Sequence, residues 1–419
     1  MKRFLPTAIG LAAALALFVL FKLQLLNGWS ANSDHPYMGY DYFGWPRAAL
    51  AILNGTNPFT AHLDYDYGPW ATGFVTFPAL AVAGIPLAWL PPWGGFWAVS
   101  ILALALHLAI IAVFGTRLDA PRPRDCVFMA AMGLFLPWYV MYYMGQYHSL
   151  AVLAVFLVLA WESTASQVAG FTISALAKPV LGPAALVLFL RREWKTVWII
   201  AGVLAVTMLP WFVIRHDATG FHPGLNPIMG EYTAEAALIA KYTAWRWNHQ
   251  ISLAAALDEL LDPRANLIAR YYVSAAIVAA AALIALYRDR RAAICMALMW
   301  FFAFYARGHE YHYTLLVPVM LCLWSLPGGR YRTWWVVALA AAAAAPTTWG
   351  IFKYHYGIEN SIRSCDLMLS HNAPLYDLFL WHKPATALLL AATIAWTESR
   401  GPAAGEKLNP TPLQDTQDP

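Results

Sequence analysis

Long apolar stretches alternate with short polar or basic ones along the chain, and the alternation predicts a helical membrane protein. The first stretch, 5–26, is long enough to cross the ~30 Å of bilayer hydrocarbon as a helix, which takes about 20 residues. The segment 28–68 is then polar, carries Asp34, Asp41, Asp64 and Asp66, and has room for one short amphipathic helix near 43–54. Residues 70–92 are apolar again but are interrupted by Pro78, Pro86, Pro91 and Pro92, so they read as a re-entrant or interfacial helix and 94–115 as the better span. Broken backbone at membrane depth is tolerated where protein covers it. Further spans are expected at 126–143, 147–162, 195–214, 267–287, 292–306, 314–326, 333–350 and 379–396. Residues 168–190 read as a second re-entrant element, a hairpin broken at Lys178 and Pro179. The expectation is an all-α, polytopic membrane protein with about ten transmembrane helices plus two re-entrant or interfacial elements.

Charge then supplies orientation. Cytoplasmic loops carry an excess of Lys and Arg. Lys2 and Arg3, RLDAPRPRD (117–125), RREWK (191–195), YRDRR (287–291) and GGRYR (328–332) therefore mark the cytoplasmic side. Both termini fall on that side, and 28–68, 215–250 and 351–377 become exterior loops. Residues 1–398 read as a single transmembrane domain, and 399–419, polar and Pro-bearing, as a disordered cytoplasmic tail. The basic start followed by an apolar run, without an obvious small-x-small cleavage site, reads as an uncleaved first helix. No internal repeat is evident, which argues against an inverted-repeat transporter.

Composition sharpens this picture. The 419 residues are 60% hydrophobic and 12% charged, against about 25% charged for a soluble domain. The net charge of +4 is scattered, with no basic tract and no aromatic–basic interleave. The bilayer is thus the expected partner, and nucleic acid is not. Cys126, Cys295, Cys322 and Cys365 form no CxxC pair and have no metal-ligand spacing. Only Cys365 falls in an expected exterior loop, so no disulfide framework is expected.

The polar and titratable groups collect at the expected exterior ends. The first loop offers Asp34, His35, Asp41, Arg47, Asp64 and Asp66. Two spans meet at MGQYHS (144–149), which presents Gln146 and His148 at a tight turn. The second loop ends in WRWNHQIS (245–252), with Asn248, and two later spans meet at RGHEYHY (307–313), with Arg307, His309, Glu310 and His312. Each residue has a plain explanation. An exterior Asp is ordinarily solvated, Asp64 and Asp66 suit the cap of a following helix, and a His at a tight turn is ordinarily an interfacial hydrogen-bonder. The Trp and Tyr residues suit an aromatic belt. Lys178 is harder to explain away: an ammonium among apolar neighbours is costly unless it snorkels or meets a phosphate or carboxylate. Four groups distant in sequence on one membrane face make a stronger signal than any one of them.

The first loop reads DYFGWPRAALAILNGTNPF (41–59) and then DYGPW (66–70). It resembles the pattern of glycosyltransferase family 87, polyprenyl-phosphate-sugar-dependent mannosyltransferase-like proteins of the GT-C kind. In that pattern an Asp precedes an aromatic-rich short helix, a G-x-N-P-[YF] turn and a Tyr-Pro turn. GQYHSL (145–150) is similar to the family's Gly-Gln-x-Asn turn, with His148 where Asn is usual. KPVLGP (178–183) resembles its Lys-x-x-Pro hairpin, with Pro already at the second position, and WNHQIS (247–252) its Asn-Gln-Ser turn with an insertion. HYTLLVP (312–318) is similar to its late His-Tyr segment. The resemblance covers about residues 38–320, with Gly68 standing where Pro is frequent.

The resemblance implies a GT-C-type hexosyltransferase in a bacterial-type inner (plasma) membrane. It would move a hexose, mannose in the first instance, from a polyprenyl-phosphate donor to a glycan or glycolipid hydroxyl at the non-cytoplasmic face, with inversion. Such a reaction needs a base for the acceptor hydroxyl and cations or donors for the developing phosphate charge. Asp41 is the expected base. Lys178, Gln146, His148, Asn248, Arg307, His309, Glu310 and His312 are the expected substrate-binding residues. No Gly-rich nucleotide loop is present, no cofactor is expected, and this reading does not call for a divalent metal. The alternative from another class is a transporter or flippase of a lipid-linked or small polar substrate, which would place charges within the spans.

Overall fold

The computed structural model describes residues 2–26, 38–39, 41–56, 58, 65–69, 78–145, 147–178, 180–213, 289–304, 310–345 and 374–400. The second expected exterior loop, 351–373 of the third, the span at 267–287, the tail after 400, and Asp34, His35, Asp64 and Cys365 lie outside them, while 374–377, expected in the third loop, are helical. Among the described residues every regular element is a helix. In chain order these are α1 (Leu5–Lys22), α2 (Gly44–Leu53), α3 (Pro78–Ala83), α4 (Ile85–Ala88), α5 (Pro92–Gly115), α6 (Pro123–Gly133), α7 (Pro137–Met144) and α8 (His148–Ala160). They continue as α9 (Thr164–Ala177), α10 (Gly182–Leu190), α11 (Trp194–Val213), α12 (Arg290–Phe304), α13 (Leu316–Trp324), α14 (Trp334–Ala344) and α15 (Pro374–Ser399). A 3₁₀ turn, Glu310–Leu315, leads into α13.

Among the described residues three stretches are long and apolar enough to cross a membrane: Leu5–Lys22, Pro92–Gly115 and Pro123–Met144. Other expected spans in the described residues include shorter helices, such as the 13-residue α8 and the 9-residue α13, and two continuous ones, the 20-residue α11 and the 26-residue α15. Proline makes most of the interruptions, because it removes a donor and clashes with the preceding turn. The expected span 126–143 falls within Pro123–Met144, which breaks before Pro137 into α6 and α7. Leu136 N–H bonds Ala344 O (3.2 Å) instead of continuing the helix. The Met132 carbonyl this leaves over is taken by buried His107 Nε2 (3.0 Å). A carbonyl only accepts, so Nε2 carries the proton, and Nδ1 accepts from Tyr142 Oη (3.1 Å). The imidazole also stacks on Trp138, centroids 4.3 Å apart. A side chain of α5 thus replaces the donor that Met132 O loses at the break.

Small residues bring the first helices close. A Cβ on Gly133 would lie 2.3 Å from Gly10 O, and one on Gly10 would lie 3.1 Å from Met129 O, so the α1 and α6 backbones nearly touch. Close backbone approach of this kind drives helix association where lipid removes the hydrophobic incentive. The core is rich in aromatic rings, with Phe21, Phe96, Tyr139 and Tyr142 fully buried. Outward-facing apolar residues such as Leu102 and Val206 are well exposed in the isolated chain, which suits a lipid-facing surface.

One end of the bundle gathers the basic loops. Asp125 is fully buried and accepts from Arg332 Nε and Trp324 Nε1, each 2.9 Å, while Arg332 also donates to Asp119 O (2.7 Å). Arg290 makes a two-pronged bond to Glu193 (2.8 and 3.2 Å). Glu398 accepts from Tyr331 Oη (2.7 Å) and pairs with Arg330 (2.9 Å). The loops at 117–125, 191–195, 289–291 and 328–332 therefore meet, and the start of the chain joins them through an exposed Arg3–Asp119 pair (3.9 Å). The helices α5, α8 and α13 run toward this end, so the starts of α8 and of the Glu310–Leu315 turn lie at the other.

Candidate active site

That other end is assembled from three helix interruptions and one loop. The first interruption is at Lys178. A residue before proline is driven out of the helical region, and Lys178 is extended (φ −161°, ψ 120°), ending α9. Ser174 spans the break: its hydroxyl donates to Lys178 O (2.9 Å) and accepts from Leu181 N–H (3.0 Å). The lysine is thus aimed by a rigid turn between α9 and α10. The second interruption is the α7–α8 turn, where Gly145 adopts a left-handed conformation (φ 64°) and His148 opens α8. The third is the Glu310–Leu315 turn, which carries Tyr311 and His312 and is closed by Thr314 Oγ1 donating to Tyr311 O (2.6 Å).

The three interruptions converge. Lys178 Nζ lies 2.5 Å from His312 Nε2. The ammonium donates, so Nε2 accepts and the His312 proton sits on Nδ1. Lys178 also lies over the Tyr311 ring, 5.6 Å from its centroid. The His148 ring is 4.9 Å from that of His312 and 5.6 Å from that of Tyr311. His148 and His312 are both buried. The cluster combines an ammonium, two imidazoles and a phenol ring, groups able to contact an anion and to donate hydrogen bonds to it.

Asp41 reaches this cluster through the backbone. Asp41 N–H and Tyr42 N–H both bond Met144 O (3.2 Å each), and Gly39 N–H bonds Tyr143 O (2.7 Å). The first loop is therefore seated on the same turn that presents His148. The short amphipathic helix expected near 43–54 is α2, and its apolar face builds a second small core. Trp45 and Ala48 of α2 pack there with Leu80 and Ala81 of α3 and with Ala177, while Tyr147 and Leu150 press against them. Trp45 Nε1 donates to Leu80 O (2.8 Å). Ala177 and Tyr147 are the chain neighbours of Lys178 and His148, so this core brings Asp41, Lys178 and His148 into one region. Arg47 on α2 is buried and donates to Gly68 O (3.1 Å). Burial lowers its proton affinity, and the Asp66 charge opposes that shift. Asp66 lies outside regular secondary structure, and its charge bears on Arg47 of α2.

Of the other expected site residues, Gln146, Asn248, Arg307 and His309, and the side chain of Glu310, lie outside the described residues. Sequence reasoning passed over three that matter here. Tyr311 faces both Lys178 and His148. Tyr42 sits beside Asp41 and is fully buried. Lys383 is fully buried on α15, donates to Ala343 O (3.0 Å) and Ala345 O (2.7 Å) at the end of α14, and lies 5.6 Å over the Tyr313 ring. The signal for Lys383 was present: like Lys178 it precedes a proline inside an apolar run.

Among the described residues the architecture is an apolar helical bundle with a buried polar cluster at one end, which is that of a membrane-embedded protein. The family model of glycosyltransferase family 87 matches residues 76–306, more than half of the chain, and the chain belongs to that family. No curated protein and no solved structure matches it. It is thus a membrane glycosyltransferase. The matched segment holds His148 and Lys178 but begins after Asp41 and ends before His312.

Proposed function

We propose that the protein transfers a hexose, mannose in the first instance, from a polyprenyl-phosphate donor to a hydroxyl of a lipid or glycan acceptor at the non-cytoplasmic face. The observation that carries this is the approach of Lys178 to His312 beneath His148 and Tyr311, with the Asp41 loop seated on the same turn. A sugar bound to a lipid phosphate has a fair leaving group. It needs no nucleotide site and no activated nucleophile on the enzyme.

In the proposed step the Asp41 carboxylate takes the proton of the acceptor hydroxyl. The acceptor oxygen bonds the anomeric carbon from the side opposite the phosphate, and the anomeric C–O bond breaks with its electron pair on the phosphate oxygen. One displacement inverts the centre. The Lys178 ammonium meets the negative charge that develops on the phosphate, and His312 and His148 supply further donors. Such fixed donors are the largest usual contribution to lowering a barrier of this kind. Full-length protein in detergent, given a panel of polyprenyl-phosphate sugars and an acceptor, is expected to release polyprenyl phosphate in step with glycosylated acceptor. Transfer only from nucleotide sugars, or movement of lipid-linked sugar across vesicles without transfer, would overturn the proposal.

A further inference from the structure

Asp41 lies in a turn outside regular helix, and its backbone is held from across the chain. Gly145 closes α7 by bonding Met141 O (3.1 Å) and Tyr142 O (3.2 Å). The last carbonyls of a helix have no partner within it, and here Tyr143 O and Met144 O receive three N–H groups of the first loop, from Gly39, Asp41 and Tyr42. The first loop is the C-terminal cap of α7.

The side chain of Tyr42 locks that register. Its hydroxyl lies 3.4 Å from Tyr67 Oη, which itself reaches Leu87 O (2.8 Å) and Leu90 O (3.0 Å). Those carbonyls take the Tyr67 proton, so Tyr42 is the donor to Tyr67. Burial, with each other's company, raises the Tyr42 hydroxyl well above the ordinary phenol value, and burial raises Tyr67. Two glycines leave the room. A Cβ on Gly95 would lie 1.9 Å from Tyr42 Oη, and one on Gly145 would lie 2.6 Å from Tyr42 Cβ and 3.0 Å from the Phe96 ring. Phe96 is fully buried among Phe21, Trp93 and Trp97 and has nowhere to go. The part that would yield is the Tyr42 backbone, one residue from Asp41.

We propose that Gly145, Gly95 and the Tyr42–Tyr67 pair are positioning residues that aim Asp41 across the α7–α8 turn toward the Lys178–His312 cluster. This rests on Asp41 being the base. A displacement near 1 Å at a reacting group costs roughly 10²-fold in rate. The donor phosphate is held by the other cluster, so the loss falls on turnover and leaves donor binding alone.

The test uses full-length protein in detergent and two readouts. In one, Gly145→Ala, Gly95→Ala and Tyr42→Phe are assayed for transfer from a polyprenyl-phosphate sugar. In the other, Asp41→Cys is placed in a chain with Cys126, Cys295, Cys322 and Cys365 replaced by Ser, and thiol labelling at 41 is timed with and without each change. The expected result is faster labelling at 41 for both glycine variants. Their kcat is expected to fall roughly 10²-fold with donor KM unchanged, and Tyr42→Phe to show the same pattern more weakly. Gly95→Ala guards against misfolding of Gly145→Ala, since it strains no left-handed backbone. Unchanged labelling overturns the proposal, as does faster labelling with full turnover, or a loss explained by less folded protein. Should Asp41→Asn retain full activity, the base assignment fails, and the labelling rates alone decide whether the first loop is held as described.

Discussion

At the end where 117–125 meets 328–332, Asp125, Glu193 and Glu398 each face a guanidinium at hydrogen-bonding distance. At the opposite end the Lys178 ammonium faces an imidazole nitrogen and the plane of a tyrosine, and the Lys383 ammonium faces two carbonyls and another tyrosine. Both ends remove charge from water, but they satisfy it differently. A guanidinium against a carboxylate is neutralised, and its field is spent on a fixed cross-link. The acceptors described for the two lysines are neutral, and a neutral acceptor, unlike a carboxylate, does not itself cancel the charge of the ammonium it touches. The first arrangement staples helices, and the second suits a phosphate-bearing substrate.

The sharpest way to break this comparison is to remove the proposed base. Asp41→Asn keeps size and hydrogen bonding but cannot accept a proton. It is expected to lower transfer by about 10²–10⁴-fold with the thermal unfolding temperature nearly unchanged, while Asp34→Asn stays active. Near-full activity of Asp41→Asn with loss in Asp34→Asn would show the base to be Asp34, and activity in both would turn attention to Glu310 and His148.

The stapled end should respond in the opposite currency. Arg332→Met leaves the Asp125 carboxylate buried without its guanidinium, a change that typically destabilises by about 3–5 kcal/mol. Thermal unfolding should register it, and the protein that remains folded should turn over normally. A turnover defect without a stability defect would mean that the two ends are not separate in function.

Lys178→Met is expected to act more narrowly. It removes the cation while keeping a long apolar side chain, so the apparent donor requirement should rise about tenfold, the size of one lost charge-assisted hydrogen bond, with little loss of stability. Normal donor dependence would reduce Lys178 to a snorkelling or bridging residue. The smallest expected signal is topological. Single cysteines in 28–68, 215–250 and 351–377 should all label from outside whole cells, and protection of all three would reverse the orientation and place the cluster on the cytoplasmic side.

Much of the fold was legible because a bilayer narrows the choices. Apolar runs near 20 residues gave α1 and α5, the prolines of 70–92 gave the short pieces α3 and α4, and the amphipathic pattern after Asp41 gave α2 within a residue or two. Lys178 before Pro179 gave the break between α9 and α10. The split of 123–144 was harder to see, because Pro137 alone bends a helix without ending it. Satisfying the split depends on His107, from another helix, taking Met132 O.

The sequence by itself determined that this is a helical membrane protein of a glycosyltransferase family, which residues carry charge, and where prolines and glycines interrupt the helices. Those properties are local: periodicity, length and backbone restriction act over a few residues. The tertiary structure decided which interruptions meet. That Lys178 points at His312, that Tyr311 lies between Lys178 and His148, and that the Asp41 loop caps α7 are contacts across tens to hundreds of residues. No pattern along the chain specifies them, because they follow from how helices of particular length and small-residue spacing stack, and stacking is a property of the whole bundle.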